Sequence, residues 1–115
     1  MLSVPASVRI FLHTLPTDMR KGVDGLSGII RGEFAADPLD GSLFLFVNRR
    51  RDRLKILHWD GTGFWVYYKV LERGTFEVDA FKKQRVEIDA TQLAMLLGGV
   101  TLAGAKRRKR YSRAS

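Results

Sequence analysis

The sequence predicts an α+β domain: a mostly antiparallel sheet of five or six strands packed with two helices, followed by a disordered basic tail. Two observations predict the body. Leu43–Val47, Leu54–Trp59 and Phe64–Val70 are runs rich in leucine, branched and aromatic side chains, separated by short polar breaks. Met19, Val23, Leu26, Ile30 and Phe34 recur at spacings that form one stripe on an α-helix. A third observation predicts the tail. Lys106, Arg107, Arg108, Lys109, Arg110 and Arg113 have no acid beside them and supply most of the net charge of +8. Residues 1–105 are therefore read as one domain and 106–115 as a tail.

The chain opens with a first strand around Val8–Leu12, bounded by Pro5 and Pro16, which cannot donate to a ladder. The first helix is expected over Thr17–Phe34, with Thr17 as its N-cap and Asp18 at its positive end. Gly22, Gly25 and Gly28 weaken it or let it lie close to another backbone. They do not form a phosphate loop, because they fall inside the helical pattern and no Gly-Lys-Ser/Thr follows.

Asp37-Pro38-Leu39-Asp40-Gly41 turns the chain into the meander. The breaks Arg49–Arg53 and Asp60-Gly61-Thr62-Gly63 are short enough to force antiparallel pairing. Glu72-Arg73-Gly74 leads to a fourth meander strand over Thr75–Val78. Arg85–Ile88 alternates as a further strand. Asp89 or Thr91 caps a second helix, Ala90–Leu97, which stops at Gly98-Gly99. Both faces of the second and third meander strands are substantially apolar, so helices or a partner must cover them.

The first hairpin loop carries Arg49, Arg50, Arg51 and Arg53 against one acid, Asp52. Like charges held this close need water, salt or an anion. Guanidinium groups suit phosphate, and Lys55 follows directly in the strand. The alternative is a solvated tip that keeps the hairpin soluble. Trp59, Trp65 and Tyr67 beside Lys55 and Lys69 are either core aromatics or a surface on which bases stack.

Candidate chemistry is sparse. The chain has no cysteine, which excludes disulfides and thiolate metal sites. His13 and His58 fall on separate strands, and His58 is expected to be buried, hydrogen-bonded and inert. Asp18, Asp24, Asp60 and Glu72 could serve a magnesium nuclease, but their spacing does not indicate one. No cofactor is expected. Apolar runs fall far short of the roughly 18 residues of a membrane span, and no signal pattern opens the chain. The expected location is the cytoplasm, with no membrane partner.

Several segments together resemble a known family. They are Thr17–Gly22, Asp24-Gly25-Leu26, Phe46–Arg53, Lys55, Trp59-Asp60, Gly63-Phe64 and Leu71–Gly74. Over about residues 5–105 they are similar to the TnpB-type accessory protein of the insertion-sequence-66 transposable elements. The resemblance implies a bacterial protein encoded beside a larger transposase and needed for efficient transposition. It implies no enzyme, since the strand-cutting acids would belong to the larger partner. The expectation is a non-catalytic factor for DNA transposition. Arg49, Arg50, Arg51, Arg53, Lys55 and the tail residues Lys106, Arg107, Arg108, Lys109 and Arg110 would contact element DNA, while the folded face would bind transposase or a second copy of itself. The rivals are a protein-interaction module without DNA binding, and a metal-dependent nuclease.

Overall fold

The computed structural model describes residue 5 and residues 7–98. The elements in chain order are β1 (Ile10–Pro16), α1 (Val23–Ile29) continuing into a π-helical turn (Ile30–Phe34), β2 (Leu43–Val47), β3 (Arg53–Trp59), β4 (Phe64–Val70), β5 (Arg85–Ile88) and α2 (Ala90–Gly98). The strands form one five-stranded sheet in the order β4-β3-β2-β1-β5. β2, β3 and β4 are the expected meander, paired antiparallel throughout. β1 and β2 are parallel, so α1 is a crossover lying over one face. β5 adds antiparallel to the far side of β1.

β2 is buried along its whole length, which explains its unbroken apolar run. Phe44 and Phe46 face α1 and pack with Leu26, Ile30, Phe34 and Leu57. Leu43, Leu45 and Val47 point the other way, into a core shared with Leu54, Ile56, Phe76, Val78, Leu93 and Leu96. The sheet is thus covered on both sides, by α1 on one and by α2 with the segment after β4 on the other.

The first helix begins six residues later than expected, at Val23. Thr17 is not its N-cap. Thr17 is buried, and its N–H bonds Val47 O at 2.8 Å, which continues the sheet contact past Pro16. Asp18 instead closes a turn: its Oδ1 accepts the Arg20 N–H at 2.9 Å, and its backbone carbonyl accepts the Lys21 N–H at 3.1 Å. Local side-chain bonding outcompetes the helix here, as it often does at Asp. The apolar stripe still holds, because Met19 packs against the same cluster from outside the helix.

The fourth meander strand does not form over Thr75–Val78. Gly74 takes a φ of 76°, and the Phe76 N–H bonds Arg51 O at 2.6 Å. The segment folds across the α2 face, burying Phe76 and Val78 without joining the ladder. Alternating burial without ladder bonds produces the same sequence pattern as a strand. α2 matches its expected start, with reciprocal capping: Gln92 N–H to Asp89 Oδ1 at 2.7 Å and Asp89 N–H to Gln92 Oε1 at 2.9 Å.

The expected tail, 106–115, lies outside the described residues. Among the described residues no helix is long and apolar enough to cross a membrane.

Candidate nucleic-acid interface

Strand directions place the loops. β1, β2 and β4 end, and β3 and β5 begin, at the same end of the sheet. Three connections meet there: 17–22, 48–52 and 71–84. Backbone bonds tie each of them down. Thr17 N–H bonds Val47 O, Leu71 N–H bonds Asp52 O at 2.8 Å, and Thr14 N–H bonds Gln84 O at 2.8 Å. Arg20 and Lys21 from the first connection, Arg49 and Arg50 from the second, and Lys82 and Lys83 from the third therefore share one end. The opposite end carries Asp37, Asp40, Asp60 and Asp89. The first end also carries Asp18, Asp52, Glu72, Glu77 and Asp79, and Arg9 lies at the second, so both ends mix signs, with cations in excess at the first and acids at the second.

The arginine loop has a defined shape. Asn48 Oδ1 accepts the backbone N–H groups of Asp52 at 3.1 Å and Arg53 at 3.0 Å, and Asn48 Nδ2 donates to Asp52 Oδ1 at 2.7 Å. Arg51 N–H bonds Asn48 O at 3.1 Å, and Arg51 takes the left-handed conformation, φ 61°. This side-chain scaffold bends the chain tightly, so the side chains of Arg49 and Arg50 stand out from the tip.

The five described candidate residues divide by role. Arg49 and Arg50 are exposed and meet no carboxylate among the described residues. Arg51 is half-buried and paired with Asp79. Arg53 belongs to β3 and donates to the Tyr68 hydroxyl oxygen at 3.0 Å, which holds its guanidinium more firmly protonated. Lys55 turns inward and donates to Met19 O at 2.7 Å and Lys21 O at 2.9 Å. One of the four loop arginines is thus neutralised by the protein's own carboxylate.

Arg20 and Lys21 were not singled out by the sequence reading as binding residues. Their signal was the Lys55 anchor, which only the fold connects to the 19–21 backbone. Arg20 is paired with Asp18 at 2.7 Å, and this contact, with the Arg20 N–H, lowers the Asp18 carboxyl to about 2.

The aromatic side chains do not make one stacking platform. Trp59 packs edge-on to Phe64, 5.0 Å between centroids, on the α1 side. Trp65 and Tyr67 stack at 6.0 Å on the α2 side. Trp65 Nε1 donates to Asp60 Oδ2 at 2.7 Å. Two backbone N–H groups, from Thr62 and Gly63, also reach this carboxylate and hold its pKa well below the usual range.

The histidines lie on opposite faces. His13, 4% exposed, is fixed by Leu15 O at 3.1 Å and by the Glu33 carboxylate. His58 is only half-buried, and its Nδ1 has no hydrogen-bond partner among the described residues, contrary to the bonded state expected. Asp18 and Asp60 sit at opposite ends of the sheet, so they cannot share a metal ion. No group of three His, Asp or Glu among the described residues could hold one.

The family described as IS66 Orf2 like protein matches residues 8–107. Uncharacterized protein y4jC of Sinorhizobium fredii is 32% identical over 108 residues, covering 94% of this chain and 92% of its own. Uncharacterized protein y4hO of the same organism is 35% identical over 100 residues, 87% of each chain. No solved structure matches. The matched span takes in the whole sheet, both helices and the arginine loop, and the chain belongs to the IS66 Orf2-like family, a transposon-associated accessory family not known to be catalytic.

Proposed function

We propose that the protein docks the basic end of its sheet on the phosphate backbone of element DNA, and so helps the element's transposase assemble there. The observation that supports this reading is the convergence of Arg49 and Arg50, which meet no carboxylate among the described residues, with Arg20, Lys21, Lys82 and Lys83, which leaves cations in excess of acids at that end. Such a dipolar charge layout steers a polyanion to one end and orients the protein on it. Phosphate contacts of this kind fix position and carry little sequence information. The described chain ends at Gly98, and Lys69 at the basic end of β4 donates to Leu97 O at 2.8 Å. On this reading the tail cations 106–110, which lie outside the described residues, supply further phosphate contacts.

A salt titration of DNA binding by fluorescence anisotropy tests this reading. Each phosphate contact should contribute about 0.9 to the slope of log K against log salt. A steep slope that flattens when residues 106–115 are removed supports the reading. No binding at low salt, together with retention of the protein on purified transposase, would assign the basic end to an acidic protein surface instead.

A further inference from the structure

The geometry points to β4 as a self-pairing edge, through which two copies of this chain join their sheets antiparallel about Tyr67. β4 is the outer strand of the sheet. Its bonds to β3 are marked at both ends of the hairpin. Asp60 N–H bonds Gly63 O at 3.1 Å, and Leu71 N–H bonds Asp52 O at 2.8 Å. Both fall in the register that pairs Ile56 with Tyr67. Hydrogen-bonded positions alternate along an antiparallel pair, so Trp65, Tyr67 and Lys69 spend their backbone groups on β3. Phe64, Val66, Tyr68 and Val70 turn theirs outward.

Three of those outward positions also carry exposed side chains with apolar surface, and Phe64 is half-buried. Val66 is 37% exposed, Tyr68 48% and Val70 45%, with Trp65 at 53% on the other face. Proteins guard such edges with proline, bulges or charge. β4 has no proline, and its register with β3 is unbroken. Its single charge, Lys69, is tied back to Leu97 O. The other edge, β5, is guarded: it is four residues long and carries Arg85 and Glu87.

A second copy is the occupant that the strand itself fits. About Tyr67, Val66 meets Tyr68 of the other copy, and Phe64 meets Val70. Both pairs are apolar, and each exchanges two backbone bonds. Trp65 meets Lys69, a cation beside an indole already bonded to Asp60. No like charges oppose one another. The charge layout selects the same orientation. Antiparallel pairing sets the Arg53 and Lys69 end of one copy beside the Asp60 end of the other, whereas parallel pairing would juxtapose the two basic ends. A two-fold interface needs this self-complementarity.

Paired this way, the two basic ends face opposite directions, so one dimer would hold two DNA segments. That consequence rests on the polyanion reading; the strand pairing does not.

Sedimentation velocity on DNA-free, full-length protein tests the pairing. A monomer–dimer equilibrium is expected as concentration rises. Val66→Pro removes an outward N–H and no bond to β3, and should weaken the dimer roughly tenfold or more with unchanged circular dichroism. Val66→Lys should do the same without touching the backbone. Tyr67→Cys supplies the positive test, because the chain has no other cysteine. Oxidation should crosslink it into covalent dimers, whereas Lys82→Cys should dimerise reversibly and stay uncrosslinked. Protein that is monomeric at every concentration, dimers as strong in both Val66 variants as in the original, or a dimer that Tyr67→Cys cannot crosslink would each overturn the proposal. Capture of a second DNA duplex by protein already bound to a first tests the bridging separately.

Discussion

The Lys55 ammonium reaches the Met19 carbonyl across 2.7 Å, with Lys21 O at 2.9 Å and the Tyr68 ring centroid 5.1 Å away. A cation in a basic stretch is here used to hold the 19–21 segment against β3. Hydrogen bonds to a charged donor contribute more than neutral ones. Lys55→Met should therefore destabilise the fold by about 1–3 kcal/mol in urea unfolding. DNA affinity, measured where both proteins are folded, should move less than for the loop-tip arginines.

Arg49 and Arg50 carry the opposite expectation. Neither holds any part of the described fold together, so Arg49→Ala with Arg50→Ala should leave the unfolding free energy unchanged to within about 0.5 kcal/mol. The same pair of changes should lower the salt slope of DNA binding by up to about 1.8, two contacts at 0.9 each. An unchanged slope would exclude the loop tip from the interface.

Asn48 shapes the loop that presents those arginines. Its side chain satisfies two backbone N–H groups and the Asp52 carboxylate. Asn48→Ala should cost about 1–2 kcal/mol, since the turn loses its internal acceptor. It should also reduce DNA affinity while leaving every cation in place, which separates loop shape from loop charge.

Acid should weaken the fold through carboxylates. Asp18 is lowered from 3.8 to about 2 by Arg20, and Asp60 is lowered by its turn N–H groups and Trp65. A carboxyl with a depressed folded-state pKa stabilises the protein above its unfolded pKa. That contribution is lost as pH falls through the folded value. The urea midpoint should therefore drop between about pH 4 and pH 2. Asp60→Asn should flatten that drop, because an amide keeps an acceptor oxygen but does not titrate.

The meander was legible because each of its strands carries a local signal. Leu43–Val47 is apolar throughout, and Asp60-Gly61-Thr62-Gly63 has the chemistry of a tight turn. Thr75–Val78 misled for a physical reason: Phe76 and Val78 alternate in burial, yet the Phe76 N–H goes to Arg51 O and the Val78 N–H to Phe76 O rather than into a strand ladder. Thr17 misled because an N-cap residue is recognised locally, while its actual partner, Val47 O, is remote in sequence. The arginine cluster was visible as residues. Which arginine is paired was not, since Asp79 lies 28 positions beyond Arg51.

By itself, the sequence determined the strands of the meander, the apolar stripe of the first helix and the presence of clustered cations, because each is set by neighbours a few residues apart. Only the tertiary structure decided that β1 runs parallel to β2 and that Arg20, Lys21, Lys82 and Lys83 join Arg49 and Arg50 at one end. It also decided that β4 is left as an uncovered edge. Strand order and direction follow from which surfaces bury best across the whole chain, and no local run of residues encodes that choice.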